Sequence, residues 1–127
     1  MDTSKEFILM CEKAVEIQEG WIPSYHDVIF NGTVGHYKMS RKSSSVFLPR
    51  QDQLQDMVDT ELADKIQSFY FFCLNVSRFD ERYMELISLD GDARRLNNKS
   101  MEQLWLAFVM SEKYNKTWNG SEWKEDK

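Results

Sequence analysis

The sequence predicts a single α+β domain, a small antiparallel sheet with helices packed mainly on one face, and three observations carry that expectation. Apolar residues recur at steps of three and four near both ends of the chain, the period of an amphipathic helix. Between them Asn31-Gly32, the strongest two-residue hairpin signal, separates two short runs of strand formers. The 127 residues suffice for one compact core and are too few for two, so residues 1–127 read as one unit with a frayed tail over 124–127.

Each element follows from a local signal. Thr3 and Glu6 form a capping-box pattern, and Phe7, Met10, Cys11, Ala14 and Ile17 then mark one face of a helix over about 4–18, ended by Gly20. Pro23 biases Ile22 to an extended conformation. A strand over 27–30 should return through the Asn31-Gly32 turn as a second strand over 33–39. Ser40 to Ser45 is a polar connection, and Val46-Phe47-Leu48 before Pro49 makes a third short strand. Leu54, Met57, Val58, Leu62 and Ile66 predict a helix over 51–66, with a break expected near Asp59-Thr60. The aromatic density of 67–77 favours a central strand buried on both faces. A helix is expected over 80–89, ended by Asp90-Gly91-Asp92, and a loop over 94–98. Ser100 and Gln103 predict a second capping box opening a helix to Tyr114, and Asn119-Gly120 predicts a terminal hairpin that sets Trp118 and Trp123 against the body.

Composition excludes several classes. With 42% hydrophobic and 13% aromatic residues, wholesale disorder is ruled out. Sixteen Lys and Arg against 21 Asp and Glu give a net charge of -5, so direct nucleic-acid binding and adhesion to an anionic membrane lack bulk electrostatic support. Cys11 and Cys73 lie among apolar residues, the setting of buried thiols rather than of a disulfide or an activated nucleophile. His26 and His36 have no ligand partner at metal-binding spacing, and no phosphate loop, nucleophile elbow or calcium loop is present. No cofactor, no metal and no enzymatic activity are therefore expected. The charged N-terminus is unlike a signal peptide, and the longest apolar run, Phe69 to Leu74, is too short to span a bilayer, so a cytoplasmic location is expected. The Asn-x-Ser/Thr triplets at Asn31, Asn75, Asn98, Asn115 and Asn119 then read as turn and cap residues.

The most informative feature is acidic. On a helix from 51 onward, Asp52, Asp56 and Asp59 fall at i, i+4 and i+7, with Glu61 and Asp64 alongside. One reading is a solvated face that keeps the protein soluble. The other is a row of carboxylates about 5–6 Å apart, close to the spacing of phosphates along a nucleic-acid strand, that could occupy the basic groove of a nuclease. Lys38, Arg41, Lys42 and Arg50, with Arg94, Arg95 and Lys99, form a basic counterpart that is either wet surface or one pole of a dipolar molecule. Trp105 is expected in the core, while Trp118 and Trp123 are candidates for either packing or protein binding.

Two blocks carry a resemblance. Phe47-Leu48-Pro49-Arg50-Gln51-Asp52-Gln53-Leu54-Gln55-Asp56-Met57 is one. Met101 to Met110, followed by Glu112-Lys113-Tyr114-Asn115-Lys116 and Trp118-Asn119-Gly120, is the other. Together they resemble a group of small uncharacterised proteins of phages and prophages of Gram-positive bacteria. The match covers less than half of the chain and carries over no site residue. It implies a phage accessory protein made in a bacterial cytoplasm. The leading expectation is thus a non-enzymatic protein that binds and inhibits a host protein, in its most specific form a counter-defence inhibitor of a CRISPR or restriction nuclease. The alternatives are a self-associating assembly protein or a small-molecule-binding module, and the oligomeric state stays open.

Overall fold

The computed structural model describes residues 1–37, 45–79 and 100–125. Within them the architecture is α+β: a three-stranded antiparallel sheet, a separate two-stranded hairpin and five helices. The helix and loop expected over 80–98 lie outside the described residues, as does most of the serine-rich connection.

Helix α1 spans Lys5–Lys13 and α2 spans Val15–Glu19, a pair where one helix was expected. The cap is Ser4 rather than Thr3: its hydroxyl accepts from the Phe7 N–H at 3.2 Å. The break falls at buried Ala14, whose ψ of 75° leaves the helical region. Gln18 explains what the break achieves. Its amide nitrogen donates to the carbonyls of Cys11 and Phe47, at 3.0 and 2.9 Å, and its oxygen accepts from the Phe47 N–H at 2.8 Å. One side chain thereby gives a second donor to the Cys11 carbonyl, which also accepts from the Ala14 N–H, and engages both polar groups of a strand residue.

Strands β1 (Val28–Phe30), β2 (Val34–His36) and β3 (Val46–Leu48) form a sheet in the order β2-β1-β3. The register pairs Ile29 with Gly35 on one side and with Phe47 on the other. The hairpin forms where expected, with Gly32 at φ +77°, a conformation that glycine adopts without strain. The returning strand is shorter than 33–39.

In the middle of the chain the expected break near Asp59-Thr60 forms, but the strand expected over 67–77 does not. Helix α3 covers only Gln51–Asp56, the chain turns through Met57 to Glu61, and α4 then runs from Leu62 to Phe79. The stretch 67–77 is therefore helix, not a central strand. Its periodicity shows why: Phe69 and Phe72 lie three apart and both pack on the same neighbouring helix. Density of aromatic side chains is shared by buried strands and helices, and only the spacing of the anchored residues separates them.

That neighbour is α5, Met101–Tyr114, which opens on Ser100 as expected, with the Ser100 hydroxyl accepting from the Gln103 N–H at 3.0 Å. The Gln103 side chain does not close a capping box. It reaches instead to Asp2 and Ser4, at 2.9 and 3.3 Å. Asn115, in the left-handed region at φ 55°, stops the helix. Strands β4 (Lys116–Trp118) and β5 (Trp123–Glu125) follow, and their register pairs Trp118 with Trp123. Lys124 and Glu125, expected to fray, pair with Thr117 and Lys116.

The buried side chains form one cluster drawn from α1, the sheet, α3 and α5, with Phe7, Leu48, Leu54, Leu106 and Phe108 fully buried. Cys11 is buried within it and Cys73 is half-buried on α4, both as free thiols. Burial pushes both thiols above the ordinary range.

Candidate functional site

One buried and one partly buried network hold the frame against which the surface is displayed. Asp27 is 4% exposed, yet its carboxylate is well supplied with donors. Oδ2 accepts from the Trp21 indole at 2.8 Å and the Ser24 N–H at 2.9 Å, while Oδ1 accepts from the Gln53 amide at 2.8 Å with Arg50 3.9 Å away. A buried carboxylate is tolerated only with such partners. Here they tie the entry to β1 to the first turn of α3 and leave Ile22 and Tyr25 projecting into solvent. The second network joins the starts of α1 and α5. The Asp2 carboxylate accepts from Ser100, Gln103 and the Ser4 N–H, and Glu102 accepts from the Asp2 N–H. Burial alone would raise the Asp2 carboxyl, but the hydrogen bonds from Ser100, Ser4 and Gln103 outweigh it and hold it below the usual carboxylate range.

The expected acidic residues are all exposed, but one helix does not carry them. Asp52 and Asp56 lie on α3 at i and i+4. Asp59 and Glu61 fall in the turn after it, and Asp64 sits in the first turn of α4. The regular row ends at Asp56 because Met57 closes the helix: its N–H reaches only back to Leu54, and buried Val58 pulls the chain inward. Asp52 pairs with Arg50 at 3.2 Å. Asp56, Asp59, Glu61 and Asp64 form no ion pair with any described residue. Of the basic counterpart only Arg50 is described, and it already serves Asp27 and Asp52.

The two candidate tryptophans face largely inward. Trp123 is half-buried and donates from its indole to the Met10 carbonyl at 3.0 Å, pinning the hairpin to α1. Trp118 packs beside it, ring centroids 5.1 Å apart, with its own indole nitrogen buried and without a hydrogen-bond partner among the described residues. A Lys116–Glu16 ion pair ties the same hairpin to α2. Trp105 is core as expected, stacked on Phe69 at 4.0 Å and 8°.

The chain matches no family model, no curated protein and no solved structure. Its own surface therefore carries the functional argument.

That surface also carries an exposed apolar stripe. Leu62, Ile66 and Tyr70 are 70%, 57% and 59% exposed and fall at i, i+4 and i+8 on one side of α4. Phe71, also exposed, shares another side with Asp64, seven residues before it. The step of four was visible in the sequence, but assigning 67–77 to a strand cut the stripe in two. Exposed His26 and His36 lie edge to face, 6.4 Å apart, and among the described residues no group of three or more His, Cys, Asp or Glu could hold a metal. No described helix is long and apolar enough to cross a membrane.

Proposed function

We propose that this protein is a non-enzymatic accessory protein of phage or prophage type that binds a host protein and blocks it, presenting carboxylates to the cationic surface of an enzyme that handles nucleic acid. The observation that carries the reading is the uncompensated negative charge of Asp56, Asp59, Glu61 and Asp64, four exposed carboxylates within nine residues and without a described cationic partner. Such a concentration of one sign steers a protein toward a complementary surface and repels nucleic acid and anionic lipid. The turn at 57–61 removes a phosphate-like repeat along one helix, so local charge density supports the reading rather than a regular spacing. The aromatic strand that would have supported self-association is helix α4.

The test uses a panel of purified CRISPR and restriction nucleases from Gram-positive bacteria. DNA cleavage by at least one should fall when the protein is added at low salt, and raising the salt should relieve the inhibition. The combined variant Asp56→Asn, Asp59→Asn, Glu61→Gln, Asp64→Asn should lose it. Cleavage left intact across the panel, or inhibition by the variant equal to wild type, overturns the proposal.

A further inference from the structure

We infer that the outward apolar side of α4 anchors the same docking surface, so that the partner offers an apolar groove edged by Lys or Arg rather than a bare cationic channel; this rests on the binding reading above. The side is set by packing. Phe69 stacks on Trp105 and meets Phe108 edge to face at 5.6 Å, and Phe72 meets Phe108 at 5.4 Å, so α4 cannot roll to hide Leu62, Ile66 and Tyr70 without breaking aromatic contacts. The three residues stand at the spacing that helix-in-groove recognition uses for its anchors. A contiguous apolar stripe rimmed by polar groups marks an interaction site more often than ordinary surface does.

Charge selects the occupant. Asp59 and Glu61 immediately precede the N-terminal end of the stripe, Asp64 lies on the other side of α4 with Phe71, and Lys65 is the one cation within residues 62–74 of α4. A partner carrying Lys or Arg beside its groove meets that charge. A second copy of this chain would bring another set of carboxylates to the contact, and nucleic acid would bring phosphates. Apolar anchoring also adds what carboxylates alone lack, since rim charges act mainly on encounter and a buried apolar centre slows dissociation.

The first measurement needs only the isolated protein. Hydroxyl-radical footprinting should modify Leu62, Ile66 and Tyr70, with Tyr70 reacting at a rate close to that of Tyr25, which is 62% exposed. Sedimentation should give a monomer. Protection of all three in the monomer means that the chain covers the stripe itself, and protection that rises with concentration alongside a doubled mass means that a second copy does; either result overturns the inference. The second measurement titrates an inhibited nuclease of the panel with Leu62→Ser, Ile66→Ser, Tyr70→Ser. Affinity should fall at least tenfold while the residual binding keeps its salt dependence, and a circular dichroism spectrum matching wild type excludes misfolding of the variant. Wild-type affinity in this variant, with binding lost in the carboxylate variant, removes the apolar anchor and leaves the proposed function standing. A panel with no inhibited nuclease ends both.

Discussion

Helices α4 and α5 are both rich in aromatic and aliphatic side chains, yet one is enclosed and the other displayed. Helix α5 buries Gln103, Trp105, Leu106, Phe108, Val109 and Met110, because α1, α3, α4 and β4 all pack around it. Among the described residues α4 has α5 as its chief neighbour and leans on it through Phe69 and Phe72. The difference teaches that apolar content does not decide burial on a helix. The number of neighbouring elements does, and where neighbours run out the same residue types become surface.

The largest test of that contrast is Phe108→Ala, which empties a fully enclosed site and should cost about 3–5 kcal/mol in a denaturant melt. A loss below about 1 kcal/mol would mean that α5 is not the packing centre. Next comes Asp27→Ala. It strands the Trp21 indole, the Gln53 amide and the Ser24 N–H, and should cost about 1–3 kcal/mol. Tryptophan fluorescence should shift at the same time, because Trp21, stacked on Phe47 at 5.0 Å, loses its anchor.

A smaller effect is expected at Asp2, whose removal by Asp2→Ala should cost about 1 kcal/mol at pH 7, the scale of a lost helix cap. Because the folded carboxyl is held below its ordinary value, its contribution is present above about pH 3.9 and is lost as the pH falls further through the folded-state value. Wild type and variant should therefore converge in stability in strong acid, as urea melts across pH would show. A gap that persists there would place the stabilisation outside the carboxylate. The smallest effect belongs to Ile66→Ser. On an exposed side of α4 it should change stability by no more than about 0.5 kcal/mol, and a loss approaching that of Phe108→Ala would erase the contrast between the two helices.

Legibility followed the range of the interaction involved. The Asn31-Gly32 hairpin, the Ser100 cap and the Trp118–Trp123 pairing all arise from contacts a few residues apart, and each forms as read; the short strand before Pro49 also forms, although its partner strand lies some 18 residues earlier. Gln18 gave no sign of its role, since its partner Phe47 lies 29 residues away. Gln103 turned from its local cap to the partly buried Asp2 carboxylate, 101 residues away. The acidic residues were identifiable by type, but their arrangement changed once Val58 was drawn into the core and α3 ended at Asp56.

The amino-acid sequence by itself determined the net negative charge, the α+β composition and the Asn-Gly turns, because these depend on residue type and near-neighbour backbone chemistry. Only the tertiary structure decided that 67–77 is helical, that the carboxylates divide between two helices and the turn joining them, and that Leu62, Ile66 and Tyr70 face outward. The physical reason is that an apolar side chain gains the same free energy by leaving water in a strand or in a helix. Which conformation achieves it depends on the surfaces that distant parts of the chain bring alongside.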